Sequence, residues 1–429
     1  MTHSIFALSS GAPPAAIAIV RISGPHAADA VRALAGRLPR PRQASLARLC
    51  DPADGAVLDQ ALVLWFPGPA TATGEDLVEL HLHGGRAVVA RVLQVLGGLE
   101  GLMPAEPGAF TRRAFENGRM DLAEAEGLSD LLFAETELQR MSAMAMAEGG
   151  LSARVRAWQE QLLGISARVE ALLDFSDEDD VDEDMGVAAT LSAEIAALSA
   201  EIETFLNRPS AERLRDGIRV ALAGPPNAGK STLLNALAGR EAAIVSARPG
   251  TTRDIIEVPI ALAGRPFVFS DTAGLHDATS DEIEIIGMDR ARAVIEQSDI
   301  LLWLDEASAS PAPDKTIRIH AQADREGRGV APADADIAIS ARTGAGMDAL
   351  VDQLTARADA LLPRPGELAL NARQRSLLAA CCATLEGSAD LLILAENLRY
   401  ARGALDRLTG RAGTEDMLDA LFGRFCIGK

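Results

Sequence analysis

The stretch Gly224-Pro225-Pro226-Asn227-Ala228-Gly229-Lys230-Ser231 decides the fold of the region around it. An apolar run, residues 218–223, precedes it, and a helix-like segment, residues 232–239, follows it. This is the spacing of a phosphate-binding loop between a strand and a helix; a chance glycine-rich turn is the alternative. Backbone N–H groups of such a loop and the helix N-terminus attract phosphate oxygens. Lys230 is expected to reach the β- and γ-phosphates, and the Ser231 hydroxyl to bind Mg²⁺.

Further short motifs lie in the alternating strand and helix pattern of residues 215–365. Asp271-Thr272-Ala273-Gly274 ends a strand-like run, where an aspartate suits outer-sphere Mg²⁺ binding and the glycine N–H can meet the γ-phosphate. In the loop at residues 250–254 (GTTRD), Thr252 is a candidate Mg²⁺ ligand that lets go after hydrolysis. Ser340-Ala341-Arg342 follows another strand-like run and is placed to support a guanine base. Together the motifs predict a GTPase of the translation-factor type rather than a generic ATPase.

Composition narrows the functional classes. The chain has 429 residues, enough for about three domains. Its net charge of −20 makes it a poor general binder of nucleic-acid backbone, so contact with RNA would depend on a basic partner or on one local basic patch. We interpret the acidic run at residues 177–184 as a solvated loop between helices, with a metal site as the less favoured alternative. No apolar stretch approaches the ~18 residues of a membrane helix, and no signal peptide is seen. Four cysteines without zinc-site spacing fit a cytoplasmic protein.

Periodicity divides the chain into three regions. Residues 1–117 alternate short β-like runs with turns, whereas residues 118–213 and 367–429 show helical periodicity. The α/β region at residues 214–366 lies between the two helical parts. We therefore predict a discontinuous helical domain with the α/β domain inserted in it.

Three features outside the phosphate motifs carry a family resemblance. They are residues 73–80 (TGEDLVEL) followed by His83-Gly84-Gly85, residues 104–115 (PAEPGAFTRRAF), and the ending Phe425-Cys426-Ile427-Gly428-Lys429. With the phosphate motifs they span essentially the whole chain, which resembles the MnmE (TrmE) family of tRNA-modification GTPases.

The resemblance implies a multidomain α+β and α/β protein. Its parts would be an N-terminal α+β domain that binds folate and forms a homodimer, a central helical bundle, and an inserted P-loop GTPase domain with a mixed, mostly parallel sheet. It implies an FAD-dependent partner of the MnmG type. The pair would modify carbon 5 of the tRNA wobble uridine (U34) with a tetrahydrofolate one-carbon unit and glycine or ammonium. GTP, Mg²⁺ and K⁺ are the other implied cofactors. From the acidity of the chain we expect the partner to hold most of the tRNA.

Family motifs also imply the residues of the nucleotide site. Asn227, Ser246, the backbone around Arg248, and Thr251 match K⁺ ligands, although Asn227 also suits a turn. Glu284 matches the glutamate that orients the attacking water, with Glu282 as the second choice and a solvated acid at a helix start as the alternative. The predicted nucleotide-binding residues are Gly224, Asn227, Ala228, Gly229, Lys230, Ser231, Thr232, Ser246, Thr251, Thr252, Asp271, Thr272, Ala273, Gly274, Asp324, Ser340, Ala341 and Arg342.

In the N-terminal domain, the resemblance places folate at Arg21, Glu79 and Arg119, with Lys429 nearby. A carboxylate can accept from the donors of a pterin, and arginine can hold carboxylates bidentately. Glu79 could also be an ordinary exposed strand residue. Cys426 is either a nucleophile that adds to the uracil ring or a thiol buried at the end of a docked helix.

One departure from the family pattern concerns the guanine-reading Asn-Lys-x-Asp motif, which reads Ala321-Gln322-Ala323-Asp324 here. Asp324 can still accept hydrogen bonds from guanine, but Ala321 cannot replace the asparagine. A folate-dependent one-carbon transferase with a degenerate G domain is therefore an alternative function. An RNA-remodelling or ribosome-assembly GTPase and a nucleotide-binding scaffold without turnover are the others. In addition, the chain between residues 304 and 316 is too short for a full helix, which predicts a trimmed G domain.

Overall fold

The computed structural model describes residues 3–174, 181–240, 257–271, 292–305, 309–386, 388, 390–411 and 415–429. The chain forms two compact units. The first contains residues 1–129, 151–159 and 402–429, and the second contains residues 130–150 and 160–401.

The first unit contains a six-stranded sheet in the order β3-β4-β5-β2-β1-β6. Only the β1–β6 pair is parallel among these neighbours. The strands are β1 (Ser4–Leu8), β2 (Ile17–Ser23), β3 (Ser45–Cys50), β4 (Val57–Phe66), β5 (Leu77–His83) and β6 (Leu102–Pro104).

Alternation of side chains along these strands separates a core face from an open face. Val20 and Ile22 of β2 and Leu80 of β5 are fully buried against α1 (Ala27–Ala35) and α2 (Arg86–Gly97). Because successive strand residues point to opposite faces, Arg21 and Glu79 lie on the other face. Burial of the apolar face thus orients the polar residues that the sequence singled out.

The C-terminal segment docks on α3 (Ala109–Glu116) and β1. Helix α13 (Glu415–Phe422) packs with α4 (Leu122–Leu132) in a small core that includes Phe425. Arg112 pairs with Glu116, Glu415 and Asp419. Two glycines permit the close approach of the segment. A Cβ on Gly108 (φ +71°) would lie 2.2 Å from the Phe422 carbonyl oxygen, and one on Gly428 (φ +95°) 2.2 Å from that of Leu8.

The second unit contains a six-stranded sheet in the order β12-β11-β10-β7-β9-β8, parallel except for the antiparallel β8–β9 pair. Helices α9 (Lys230–Arg240) and α10 (Met347–Leu361) contribute Leu233, Leu237 and Leu354 to its core. The strands are β7 (Ile218–Ala223), β8 (Glu257–Leu262), β9 (Arg265–Asp271), β10 (Ile300–Trp303), β11 (Thr316–His320) and β12 (Ile337–Ala338).

Long helices make up most of the remaining structure. Helix α7 packs against α11, and capping boxes at Thr136 and Asn371 start α5 and α11. Helices not yet named are α5 (Glu137–Ala147), α6 (Gly150–Asp174), α7 (Val181–Leu206), α8 (Ala211–Asp216), α11 (Ala372–Thr384) and α12 (Leu391–Thr409).

The predicted fold class is confirmed. The N-terminal sheet is mixed, long helices form the helical part, and the sheet beside the phosphate loop is mostly parallel. The predicted strand at residues 218–223 has the observed bounds. Between β10 and β11, the described residues contain a single 3₁₀ turn, Pro313–Lys315, as the short connection required. Within the part of the chain that the structure describes, no helix combines the length and apolar character needed to cross a membrane.

The interpretation of the acidic run as a loop is wrong for its second half. Residues 181–184 belong to the first turn of α7, and residues 177–180 lie outside the described residues. Acidic residues are favourable at this end of a helix because its dipole presents partial positive charge there.

Replacing Gly108 by alanine tests the close approach of the C-terminal segment. We expect a lower thermal midpoint and a loss of about 1–3 kcal/mol in excess of that caused by Gly36→Ala. Gly36 has a similar φ (+73°), but an added Cβ there meets nothing within 4 Å. Both variants can be compared by thermal and urea unfolding. Equal destabilisation would mean that φ alone, and not the contact with Phe422, requires glycine at residue 108.

Candidate nucleotide site and N-terminal site

The phosphate loop connects β7 to α9 through an unusual backbone. Gly224, Asn227 and Gly229 have φ values of +151°, +63° and +98°. A Cβ on Gly224 would lie 3.0–3.3 Å from atoms of Leu304 and Asp305, so glycine is also required there by space. Asn227 is the type of non-glycine residue that tolerates this conformation best. The loop therefore turns tightly around the N-terminus of α9.

Lys230 is buried inside this loop. Its Nζ donates to the carbonyl oxygens of Gly224 (2.7 Å) and Pro225 (2.9 Å). Burial lowers the pKa of Lys230, and the charge of Asp271 opposes that shift. The ammonium group thus occupies the centre of the loop, where it can exchange carbonyl partners for phosphate oxygens.

The Ser231 hydroxyl donates to the Asp271 carboxylate at 2.8 Å. Parallel pairing of β7 and β9 sets Leu222 opposite Asp271, which brings the end of β9 beside the start of α9. Among the described residues, no cluster of three or more His, Cys, Asp or Glu side chains could hold a metal. Mg²⁺ fits this serine and carboxylate pair only if phosphate and water oxygens supply its other ligands.

A cavity of about 400 Å³ lies beside the phosphate loop. Asp324 lines it, and the Asp324 carboxylate accepts hydrogen bonds from Ser340 Oγ (2.6 Å) and Arg342 Nε (2.7 Å). These two bonds hold the pKa of Asp324 below its usual value, and the bond from Ser340 has the larger effect. Asp324 is thus an ionised acceptor that suits the N1–H and amine donors of guanine. The cavity is lined by Gly229, Thr232, Leu233, Ala321, Gln322, Asp324, Arg325, Ile339, Ala341 and Arg342.

On the open face of the N-terminal sheet, Arg21 pairs with Glu79. The two residues lie opposite each other on β2 and β5, and Arg21 Nη2 donates to Glu79 Oε1 at 2.8 Å. His81 Nε2 lies 3.3 Å from the other oxygen. Burial raises the pKa of Glu79, but the hydrogen bonds and charges of Arg21 and His81 outweigh this effect, so the pKa lies below its usual value. Glu79 is therefore a partly buried, ionised acceptor rather than an ordinary exposed strand residue.

The chain end lies next to this pair. The Arg21 guanidinium lies 5.9 Å from the centre of the Phe110 ring, and the Phe110 N–H donates to the Lys429 backbone oxygen at 3.2 Å.

Cys426 is exposed, so the alternative of a buried thiol is wrong. Arg119 is exposed too, and its stem lies near Gly74.

Comparison with known proteins decides the family. Residues 4–119 match the family model described as "GTP-binding protein TrmE N-terminus", and residues 122–426 match the one described as "MnmE helical domain".

The chain belongs to the MnmE (TrmE) family.

Relatives within this family are similar over the whole chain. The protein named tRNA modification GTPase MnmE in Erythrobacter litoralis is 58% identical over 430 residues and covers 100% of both chains. Its namesake in Rhizorhabdus wittichii is 60% identical over 436 residues, which is 100% of this chain and 97% of that one. In Novosphingobium aromaticivorans the identity is 57%, with full coverage of both. The resemblance inferred from the motifs is confirmed.

The structure brings together part of the MnmE-type site that the sequence predicted. Lys230, Ser231 and Asp271 meet around the phosphate loop, and Asp324, Ser340 and Arg342 meet at the cavity. Gly224, Asn227, Ala228 and Gly229 lie in the phosphate loop, and Thr232 and Ala341 line the cavity. The remaining predicted residues lie outside the described residues. They are Ser246, Arg248, Thr251, Thr252, Thr272, Ala273, Gly274 and Glu284, together with the second choice Glu282.

Sequence reasoning missed one residue of this site. Gln322 occupies the lysine position of the Asn-Lys-x-Asp motif and was assigned no role, yet its Nε2 donates to the Asn227 carbonyl oxygen at 2.9 Å. The one sequence feature that could have indicated this role is a polar side chain directly after the alanine at residue 321. The partner lies 95 residues away in the chain, and spacing does not reveal such a pairing.

Proposed function

We propose that this chain is a GTP hydrolase whose reaction serves tRNA modification. The observation that carries the proposal is the meeting of Lys230, Ser231 and Asp271 around one phosphate loop. The proposal is supported by relatives that carry the name tRNA modification GTPase and align with the chain from end to end.

Each part of the nucleotide would meet a different group of this chain. Lys230 would leave the carbonyls of Gly224 and Pro225 for the β- and γ-phosphates. Ser231 and Asp271 would orient Mg²⁺, and Asp324 would accept from the guanine edge. Thr252 remains a proposed Mg²⁺ ligand and Gly274 a proposed γ-phosphate contact, with Glu284 as the residue that orients water. A bound Mg²⁺ supplies positive charge beside the phosphates.

We further propose that K⁺ activates hydrolysis. Asn227 is exposed in the phosphate loop in a left-handed conformation, which supports a ligand role for its side chain. Ser246, Arg248 and Thr251 are the other proposed ligands. A monovalent cation there offsets charge that develops on the phosphates, a role that arginine has in other GTPases.

GTP turnover measured in K⁺ and in Na⁺ tests both proposals, hydrolysis of GTP at the phosphate loop and its activation by K⁺. We expect faster turnover in K⁺, and a loss of about a hundredfold or more in Lys230→Ala because the phosphates lose their main cation. Asn235→Ala, an exposed change on the same helix, is the control and should match the parent. Equal, negligible turnover in both salts would contradict the proposal and favour a transferase with a degenerate G domain.

Folate is the second proposed ligand, at the Arg21 and Glu79 pair. The Glu79 carboxylate suits the donor edge of a pterin, and the Arg21 guanidinium, which lies 5.9 Å from the centre of the buried Phe110 ring, offers a flat group of donors. Lys429 ends beside Phe110, which supports its part in the site. Arg119, which is exposed in the same compact unit, is the third proposed folate-binding side chain.

Titration with tetrahydrofolate tests this site. We expect Glu79→Gln to raise the Kd by about tenfold or more, because the carboxylate acceptor becomes an amide that also donates. Asp59→Asn is the matched control. Asp59 is also a strand carboxylate that pairs with a histidine, His83, on the same sheet. Equal weakening by both changes, or no binding to the parent, would contradict the assignment.

The proposed product is a tRNA wobble uridine modified at carbon 5, made with an FAD-dependent MnmG-type partner. The exposed Cys426 thiol, three residues from the chain end, supports a nucleophilic role at the uracil ring. The net charge of −20 supports a partner that holds most of the tRNA. We also propose a homodimer through residues 1–117, a helical domain at residues 118–213 and 367–429, a G domain at residues 214–366, and a cytoplasmic location.

Nucleoside analysis of tRNA tests the biological role. In cells that lack the protein, we expect the wobble uridine modification to disappear, to return with the parent gene, and to stay absent with Lys230→Ala. Cys426→Ser should abolish the modification while GTP turnover stays within about twofold of the parent, because in this proposal the thiol acts on the uracil ring and takes no part in hydrolysis. Normal wobble uridines in the deletion strain would contradict the assignment.

A further inference from the structure

We infer that Gln322 is a positioning residue that joins the base-reading loop, residues 321–325, to the phosphate loop, residues 224–231. This inference rests on the proposed binding of a guanine nucleotide. The Gln322 Nε2 group donates to the Asn227 carbonyl oxygen at 2.9 Å, and the two residues lie on different loops of the same compact unit. The bond thus connects the loop that carries Asp324 with the loop that carries Lys230.

The backbone on both sides of this bond supports a specific role. Gln322 and Asn227 have φ values of +59° and +63°, which residues with a Cβ rarely adopt. Such conformations persist only where the surroundings enforce them. Gly229 lies against the same side chain, since a Cβ there would be 3.3 Å from Gln322 Nε2. The Gln322 amide therefore bonds to the phosphate loop at Asn227 and leaves little room for a side chain at residue 229.

Other contacts hold the base-reading loop to its own side of the cavity. Arg328 Nε donates to the Ala321 carbonyl oxygen at 3.1 Å, and the Ala323 N–H donates to that of Ile339 at 3.0 Å. Ser340 Oγ holds the Asp324 carboxylate. These bonds anchor the loop to neighbouring segments, although Ala321 offers no side-chain donor. None of them reaches the phosphate loop, whereas the Gln322 bond does.

A nucleotide must contact both loops at once, so the separation of the loops affects its affinity. The cavity of about 400 Å³ is lined by Gly229 of one loop and by Gln322 and Asp324 of the other. A brace between them sets the distance from the Asp324 carboxylate to the phosphate cradle before the ligand arrives. Without it, binding must order the loops, which weakens affinity and mainly speeds release.

Binding of a fluorescent GDP analogue to the full chain, with Mg²⁺ and K⁺ present, measures this effect. Gln322→Glu keeps the shape of the side chain but presents an acceptor to the Asn227 carbonyl, and we expect it to raise the Kd by about tenfold or more. Gln322→Gly retains the left-handed backbone and removes the side chain, and it should weaken binding similarly. Gln322→Lys keeps a donor of sufficient reach and should stay within about threefold of the parent.

Val330→Glu controls for the added negative charge of Gln322→Glu. Val330 is 88% exposed on the segment that follows the base-reading loop, and its replacement should leave the Kd unchanged. Unchanged affinity in both Gln322→Glu and Gln322→Gly would overturn the inference. So would equal weakening by Gln322→Glu and Val330→Glu.

Amide hydrogen exchange in the absence of nucleotide separates this inference from the proposed function. If the brace exists, Gln322→Glu should speed exchange at the amides of residues 227–229 relative to the parent, while the thermal midpoint stays the same. Equal exchange in the two proteins would overturn the inference even if GDP binds. Faster exchange in Gln322→Glu, combined with no guanine-nucleotide binding by the parent, would support the brace and contradict the proposed function.

Discussion

Parallel pairing between β7 and β9 is the constraint on which the nucleotide site depends. It sets Leu222 opposite Asp271, so that the strand carrying the aspartate ends where the phosphate loop turns into α9. Ser231 at the start of that helix then meets Asp271 at 2.8 Å. The buried apolar side chains of both strands fix this register, because a slip by one residue would turn Phe267 and Phe269 out of the core.

A comparable constraint acts in the first unit. The core face of β2 and β5 is apolar, so the alternation of the strands leaves Arg21 and Glu79 together on the other face. The C-terminal segment then reaches this face because Gly108 and Gly428 allow backbone contact with Phe422 and Leu8. The last residues of the chain thus lie beside the first strands, although the two segments are at opposite ends of the sequence.

The charged side chains of the two sites are of two kinds, a buried cation and ionised carboxylates. Lys230 is a buried cation with carbonyl partners, a state that favours exchange for phosphate oxygens. Glu79 and Asp324 are carboxylates whose pKa values are held below the usual range by hydrogen-bond donors, so both are acceptors at neutral pH. The overall acidity of the chain is therefore compatible with anion binding, because a loop backbone and one lysine supply the local positive potential.

Local patterns in the sequence were sufficient to predict the phosphate loop, the strand before it, the mostly parallel sheet and the family. These features depend on short-range spacing and on periodicity, which a single sequence carries. The tertiary structure alone decided that Gln322 bonds to Asn227, that Cys426 is exposed, and that Phe110 joins Arg21 to the chain end. The first and the third of these are contacts between segments far apart in the chain. Such contacts follow from how sheets and helices pack, and neither residue type nor spacing encodes them.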